Sequence, residues 1–240
     1  MTQAIHPSHW RRRCAVLALA VVATLAGCAT GPNRDPRDPI EPFNRGVERF
    51  NDAMDKAVLK PVATAYAEVT PDPVRTAVGN FFGNLRDVWT ATNATLQLRG
   101  EDAATSFLRV GVNTAFGLGG LLDIATDMRL YRVSADFGQT LGYWGVPPGP
   151  YVVLPIFGPS TVRDTVGMGV EARGDLVQGV SDVPSRNTLY TLRAIETRAG
   201  LLRAGAVLDE AALDKYSFTR EVFLQRRQSV IDAQRNRDDE

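Results

Sequence analysis

Apolar residues recur every three or four positions after residue 40, which is the spacing of one face of an α-helix. Between residues 43 and 58 this face consists of Phe43, Val47, Phe50, Met54 and Val58, and polar residues fill the other positions. The pattern predicts an amphipathic helix. Pro61 and the cluster Thr70-Pro71-Asp72-Pro73 predict breaks after it. A longer helix is predicted next from Val74, Val78, Phe81, Phe82, Leu85, Val88, Trp89 and Leu96.

Helical and glycine-rich segments alternate in the rest of the chain. A short third helix is predicted around Phe107. Residues 111–125 are mostly apolar and contain three clustered glycines, which fits either a turn between buried helices or an apolar hairpin that dips into a membrane. Residues 136–164 are rich in glycine and proline and predict an ordered loop or hairpin. Helical spacing returns in residues 162–180, 189–208 and 210–235. The chain is therefore predicted to be mainly α, with a single domain at residues 41–235 and a polar tail at 236–240.

The first 28 residues have the order of parts found in a lipoprotein signal peptide. Three arginines at 11–13 precede an apolar run at 14–26 that is too short to span a bilayer, and small residues lead directly to Cys28. The pattern predicts that residues 1–27 are cleaved and that Cys28 carries a covalent lipid. Residues 28–40 contain three prolines and predict a flexible linker between this lipid and the domain. No spanning helix is expected in the mature chain. The disfavoured alternative is a cytosolic chain with an apolar start.

Cleavage before Cys28 would remove both histidines and the other cysteine from the chain. The mature chain would then lack the residues for a Ser-His-Asp triad, a disulfide or a Cys/His metal site. Loss of three arginines leaves 24 basic against 27 acidic residues, so the net charge of minus three argues against nucleic acid as a partner. Neither an enzyme nor a cofactor is expected, apart from the lipid on Cys28. A dinucleotide-like pattern, Gly167-x-Gly169-x-x-Ala172, lacks the preceding strand that nucleotide binding needs.

Several blocks of sequence carry a family resemblance. They are DPIEPFNR at residues 38–45, FND at 50–52, NFFGNL at 80–85, DFGQTLG at 136–142, GPYVVLP at 149–155 and Arg163-Asp164. In this order they resemble the MlaA (VacJ) lipoproteins from residue 38 to about residue 227. The resemblance implies a ring-like helical protein on the periplasmic side of the outer membrane. It also implies removal of mislocalised phospholipids from the outer leaflet, with delivery through a polar channel to a periplasmic MlaC-like carrier, and association with a trimeric porin.

Two alternatives to a lipid conduit remain open from the residues. One is a passive envelope scaffold that only binds porins, and the other is a lipid-cleaving enzyme with an unusual Ser-Lys pair. A conduit needs a polar path for the headgroup, since moving a phospholipid breaks no covalent bond. Charged residues that could supply this path are Arg163, Asp164, Glu196 and Arg198. The same four residues could equally form an internal salt-bridge network that pins helices together.

Other residues are candidates for moving or membrane-facing parts. Gly142, Gly145 and Gly149 surround a proline-rich segment and could act as hinges beside the passage, although a rigid hairpin would use them for tight turns alone. Phe43 and Phe50 belong to a Phe-Asn pair that is repeated after seven residues, so both are expected on one helix face. We expect them to be buried, or to face lipid at the membrane or at a gate.

Overall fold

The computed structural model describes residues 35–236. The predicted signal peptide, the lipidation site Cys28 and the end of the tail lie outside these residues, so they stay predictions. Residues 35–40 of the predicted linker are described, and they are packed into the domain. Asp38 is fully buried and accepts hydrogen bonds from Tyr216 and Arg220 of the last helix. The predicted linker is therefore too long at its C-terminal end, because these contacts fix the chain from residue 35 onward.

Helices dominate the described part of the chain. They are α1 Glu41–Met54, α2 Lys60–Val69, α3 Asp72–Leu96, α4 Gly100–Ala115, α5 Ile124–Asp127, α6 Phe137–Tyr143, α7 Val162–Arg173, α8 Val183–Gly200, α9 Leu202–Ala211 and α10 Lys215–Asn236. A 3₁₀ turn, Leu176–Gly179, follows α7, and a π turn, Asp55–Leu59, joins α1 to α2. The strands β1 Tyr151–Leu154 and β2 Gly158–Thr161 form an antiparallel hairpin in which Tyr151 pairs with Thr161. The mainly α fold is as predicted, but α6 was expected to be loop.

The break predicted at Pro61 is wrong. The chain stays helical from α1 through the π turn into α2, and Pro61 stands in the first turn of α2. Proline lacks a backbone N–H, and this costs least in the first turn of a helix. The wider π turn before Pro61 leaves space for its pyrrolidine ring. The break predicted at residues 70–73 is found, since Thr70 is extended and α3 begins at Asp72 with Pro73 in its first turn.

The packed elements form a closed circuit. Helix α1 contacts β1, and the hairpin contacts α7 and α10. Helix α6 packs on α7 and also on α3, α3 contacts α8, and α8 contacts α2, which is continuous with α1. Helix α4 pairs along α3, outside this sequence of contacts. The circuit makes the domain a ring of helices closed by one hairpin, and this ring can enclose a cavity.

Polarity in this ring is inverted relative to a water-soluble domain. Among the described residues, 19 polar or charged side chains are buried against 12 hydrophobic ones, and half of the latter are alanines. In α4 the buried face carries Ser106, Arg109 and Asn113, whereas Phe107 and Leu108 are 58% and 55% exposed. Soluble proteins show the opposite arrangement. The outer face of α4 therefore suits an apolar environment.

Buried ion pairs hold the inverted face together. Arg109 is completely buried and binds Asp87 of α3 and both carboxylate oxygens of Asp123, at 2.9 to 3.1 Å. Burial would raise the pKa of Asp123, but hydrogen bonds from Thr126, Asn113 and Arg109 lower it to about 2. Asp123 is thus charged at neutral pH, and it fastens the segment after α4 to the ring.

Residues 111–125 combine features of the two structures predicted for them, a turn between buried helices and an apolar hairpin. Helix α4 continues to Ala115, and the glycines then form a turn in which Gly119 and Gly120 have φ of 72° and 95°. The side chains of this turn are not buried, since Phe116 and Leu118 are 74% and 70% exposed. Within residues 35–236, no helix combines the length and apolarity needed to cross a membrane.

Candidate functional site

A cavity of about 490 Å³ is lined by residues from several members of the circuit and is called the ring cavity here. Helices α3, α7 and α8 and the hairpin tip contribute to its wall. Its apolar lining includes Phe82, Leu85, Trp89, Phe157, Met168 and Leu176, and its charged lining consists of Arg86, Asp136, Glu171, Asp175 and Arg193. The cavity is therefore amphipathic. Its charged lining suits a phospholipid headgroup, and its apolar lining suits the first carbons of the acyl chains.

The charged groups of the ring cavity differ in how they are paired. Arg193 Nη2 lies 2.7 Å from Asp175 Oδ2, and Asp136 is bound by Arg227 of α10. Glu171 Oε1 accepts a hydrogen bond of 2.5 Å from the backbone N–H of Phe137. Burial raises the pKa of Glu171, although this hydrogen bond opposes the rise. Arg86 forms no hydrogen bond or ion pair with a described residue.

Arg163 and Asp164 do not line the ring cavity but lie beside it, since Arg227 joins Asp164 to Asp136 of its wall. Both are buried, and Arg163 Nε donates to Asp164 Oδ1 at 3.0 Å. Arg227 Nη2 donates to the same oxygen at 2.8 Å and also to Asp136 Oδ1. Burial would raise the pKa of Asp164, but the hydrogen bonds and charge of Arg227 outweigh it, so the pKa is lowered. The network ties α7 to α10 and to the start of α6, as the salt-bridge alternative expects.

Glu196 and Arg198 both lie on α8 but serve different neighbours. Arg198 forms a bidentate pair with Asp55 in the π turn, at 2.5 and 2.7 Å. Burial raises the pKa of Glu196, and the positive charge of Arg86 partly offsets this rise. The four candidate charges therefore do not form one cluster. Among them, Glu196 interacts electrostatically with Arg86 of the ring cavity. Headgroup contact by any of the four stays a prediction.

Comparison with known proteins identifies the family. The model of the MlaA lipoprotein family matches residues 36–230, which is almost the whole described domain. The chain belongs to the MlaA lipoprotein family. The intermembrane phospholipid transport system lipoprotein MlaA of Escherichia coli (strain K12) is 37% identical over 229 residues, covering 90% of this chain and 88% of the relative. The protein of the same name from Haemophilus influenzae is 32% identical over 225 residues, covering 89% and 88%.

The fold agrees with this assignment. A chain from a solved structure described as "Structural basis for maintenance of bacterial outer membrane lipid asymmetry" aligns with a TM-score of 0.72 and 34% identity. The alignment covers 82% of this chain and 100% of that chain. The resemblance inferred from the sequence blocks is thus confirmed, and so is the mainly α, ring-like fold class.

The first MlaA blocks, DPIEPFNR and FND, place two asparagines against the hairpin. Asn44 is fully buried; its Nδ2 donates to Tyr151 O at 3.0 Å, and its Oδ1 accepts from Val153 N at 2.9 Å. Asn51 repeats this pattern with Leu154 O and Ile156 N. The two side chains therefore bind the outer edge of β1 in place of another strand. Sequence reasoning missed them because it considered the adjacent phenylalanines.

Phe43 and Phe50 point away from the domain. They are 54% and 50% exposed and line a shallow apolar groove with Val47 and Pro155. The prediction that Phe43 and Phe50 are buried in a protein core is therefore wrong. The asparagines occupy the inward face of α1, and the preceding phenylalanines lie on its outer side. Lipid contact at the membrane or at a gate stays a prediction for both residues.

The three candidate hinge glycines have two separate uses. Gly142 lies inside α6, and a Cβ there would be 2.5 Å from Ile231 Cδ1 and 2.8 Å from Arg163 Nη1. Close packing explains this glycine. Gly145 and Gly149 instead have φ of 92° and 67°, a backbone region that other residues rarely adopt. Tight turns require both of them, and hinge motion at any of the three stays a prediction.

Arg86 and Glu171 are the cavity residues that sequence reasoning missed. A signal existed for Arg86, because Phe82, Arg86 and Trp89 follow helical spacing and share the face of α3 that lines the cavity. Met168 and Glu171 share a face at the end of α7, and Asp175 follows just after this helix. An isolated arginine between two aromatic residues on a long helix would have pointed to this face.

Proposed function

We propose that this protein is an outer-membrane lipoprotein that removes mislocalised phospholipids from the outer leaflet through the ring cavity. The observation that carries the proposal is an amphipathic cavity lined by three helices and the hairpin tip of a closed circuit of packed elements. Its apolar wall can accompany acyl chains, and its charged wall can accompany the headgroup. The names of the MlaA relatives, which describe phospholipid transport, support the same substrate. Such transport would maintain the lipid asymmetry of the outer membrane.

The inverted polarity of the ring supports a position within one leaflet. Phe107, Leu108 and Phe116 offer an apolar outer face, while Arg109 and Asp123 lie inside. Helices that present an apolar face without spanning the bilayer bind in the plane of the interface. The predicted lipid on Cys28, together with this face, would hold the protein in the periplasmic leaflet of the outer membrane.

The remaining partners follow from family membership. A periplasmic MlaC-like carrier would accept each phospholipid, and a trimeric porin would bind the ring from the membrane side. The proposal assigns no covalent reaction to the protein, so it acts as a transporter and not as a lipid-cleaving enzyme. If an antibody against this protein recovers both the carrier and the porin from crosslinked cells, the two proposed partners are supported. If it recovers the carrier without the porin, only the carrier is supported as a partner.

The conduit is tested by filling the ring cavity. Ala172 lines the cavity and is exposed to it, so Ala172→Trp places an indole in the open space. Ala204→Trp on α9, also at an exposed position, is the matched control. In cells without the native gene, outer-leaflet phosphatidylethanolamine is measured with an amine reagent that cannot cross the membrane. We expect Ala172→Trp to accumulate this lipid as the deletion strain does, while Ala204→Trp clears it.

The same experiment separates the conduit from a scaffold. A scaffold that only binds porins does not need an open cavity, so normal clearance by Ala172→Trp at normal protein level would contradict the conduit. Thermal unfolding of both purified variants checks that the indole does not act by destabilising the ring. Release of free fatty acid by the unchanged protein would instead favour the lipid-cleaving alternative.

A further inference from the structure

Some of the charged residues that line the ring cavity form ion pairs within the protein, and others do not. Two of its acids, Asp175 and Asp136, are bound by arginines, and Arg193 is bound by Asp175. Arg86 has no such partner among the described residues, and it interacts with Glu196 only through longer-range attraction. An arginine that stabilises the fold would be expected to bind a carboxylate or a carbonyl, as Arg193 and Arg227 do. Arg86 is therefore free to bind an anion that enters the cavity.

Glu171 is the complementary group. Its Oε1 is used by the backbone N–H of Phe137, and its second oxygen makes no hydrogen bond within residues 35–236. Burial raises the pKa of this carboxyl, and the hydrogen bond from Phe137 and the charge of Arg227 only partly oppose the rise. A half-buried carboxylate with one open oxygen, as at Glu171, is stabilised by a cationic hydrogen-bond donor. The ring cavity thus offers one site for an anion and one for a cation.

We propose that the ring cavity prefers zwitterionic phosphoethanolamine headgroups, with Arg86 binding the phosphate and Glu171 binding the ammonium group. The proposal rests on the proposed function, since it names the lipid class that the conduit takes. A planar guanidinium matches the oxygen pair of a phosphate, and an ammonium group brings three N–H donors to the open carboxylate oxygen.

Charge balance explains why an anionic glycerol headgroup should be disfavoured. The groups of the cavity region without a directly paired opposite charge are Arg86, Glu171 and Glu196. A zwitterionic headgroup brings a positive charge to these two acids. A phosphoglycerol headgroup brings only a negative charge, and so leaves the half-buried Glu171 without a cation.

The preference is tested by photocrosslinking from inside the cavity. Met168 lines the ring cavity and is half-buried, so p-benzoylphenylalanine at position 168 reports lipid in the cavity rather than lipid around the protein. The full-length lipoprotein is reconstituted into vesicles of dioleoyl phosphatidylethanolamine and dioleoyl phosphatidylglycerol in equal amounts. After illumination, mass spectrometry measures the ratio of the two lipids crosslinked to the protein. We expect an excess of phosphatidylethanolamine of about tenfold, the size of one hydrogen bond to a charged group.

Two substitutions assign the two ends of the headgroup. Glu171→Gln keeps the oxygen that binds Phe137 N but removes the charge, so it should bring the ratio of crosslinked lipids close to one. Arg86→Gln should lower crosslinking of both lipids about tenfold, since both carry the phosphate. Arg49→Gln is the control, because Arg49 is exposed on α1 and does not line the ring cavity. Thermal unfolding of all variants confirms that each is folded.

The possible outcomes distinguish the headgroup preference from the conduit. Equal crosslinking of the two lipids by the unchanged protein, or an unchanged ratio in Glu171→Gln, overturns the preference and leaves the conduit standing. Arg86→Gln that behaves like Arg49→Gln overturns the role of Arg86 in binding phosphate. No lipid crosslinked at position 168 in any variant overturns the conduit, and the preference with it.

Discussion

At the scale of single residues, Asn44 replaces backbone partners that β1 lacks. Its side chain contacts Asp38, Tyr151 O and Val153 N, and no part of it is exposed. A buried peptide group without a partner costs about 1 to 3 kcal/mol, so Asn44→Ala should lower the free energy of unfolding by at least about 2 kcal/mol. Denaturant titration of the purified protein measures this change.

A suitable control is Asn187→Ala, because Asn187 is exposed on α8. Its free energy of unfolding should stay close to that of the unchanged protein. Equal stability of Asn44→Ala and Asn187→Ala would mean that water or another group replaces the lost amide, and that Asn44 does not hold the hairpin edge.

Sequence reasoning reached some of these residues but not their roles. The repeat of Phe43-Asn44 at Phe50-Asn51 was visible, and the helical spacing was correct. Arg163 and Asp164 were found by their sequence block, but their function depends on Arg227, which is 63 residues away from Asp164. Pairing over such distances is decided by packing, so the sequence could not choose between a headgroup site and an internal network.

At the scale of elements, the contact of α6 with α7 depends on glycine. A Cβ on Gly167 would lie 2.5 Å from the backbone nitrogen of Gly138, whereas a Cβ on Gly169 would meet nothing within 4 Å. The glycine pattern that resembles a nucleotide fingerprint is thus a helix-packing feature. Gly167→Ala should destabilise the protein by about 1 to 3 kcal/mol, since the two backbones must separate.

The neighbouring glycine gives the matched control. Gly169→Ala in the same helix should be neutral or stabilise by up to about 1 kcal/mol, because alanine favours the helical backbone. Thermal unfolding of both variants in one detergent provides the measurement. If Gly167→Ala proves as stable as Gly169→Ala, the helices are not in backbone contact.

Elements also show where periodicity stops being informative. Helices α1, α3 and α10 follow the predicted spacing, and the breaking prolines before α3 were correctly placed. The sequence of α4 has an apolar and a polar face, but helical spacing does not show whether the apolar face contacts a protein core or lipid. The structure places Phe107 on the exposed face of α4 and buries Arg109 on the other face.

At the scale of the whole molecule, the inverted polarity predicts which surface meets lipid. The predicted lipidation of Cys28 leaves the mature chain without a free thiol, so Phe107→Cys can be labelled alone with an environment-sensitive fluorophore. In vesicles, this label should be quenched by lipids that carry a spin label on the acyl chain, because the proposed position of the protein puts the apolar outer face of α4 in hydrocarbon.

The comparison site is Arg226→Cys, at an exposed position of the polar helix α10. Its label should be quenched by iodide in the water and only weakly by the acyl-chain quencher. Strong iodide quenching at both sites would place the outer face of α4 in water and remove the argument for a position within one leaflet.

The contacts of Asp38 also bear on the order in which the molecule is made. Its partners Tyr216 and Arg220 are 178 and 182 residues further along the chain. A chain that emerges from its N-terminal end therefore holds Asp38 and Asn44 ready long before the residues that cover them exist. Contacts over so great a separation form slowly, because a long loop must close first. The ring can only be completed after synthesis of the last helix, and until then Asp38 lacks the partners that bind it in the finished interior.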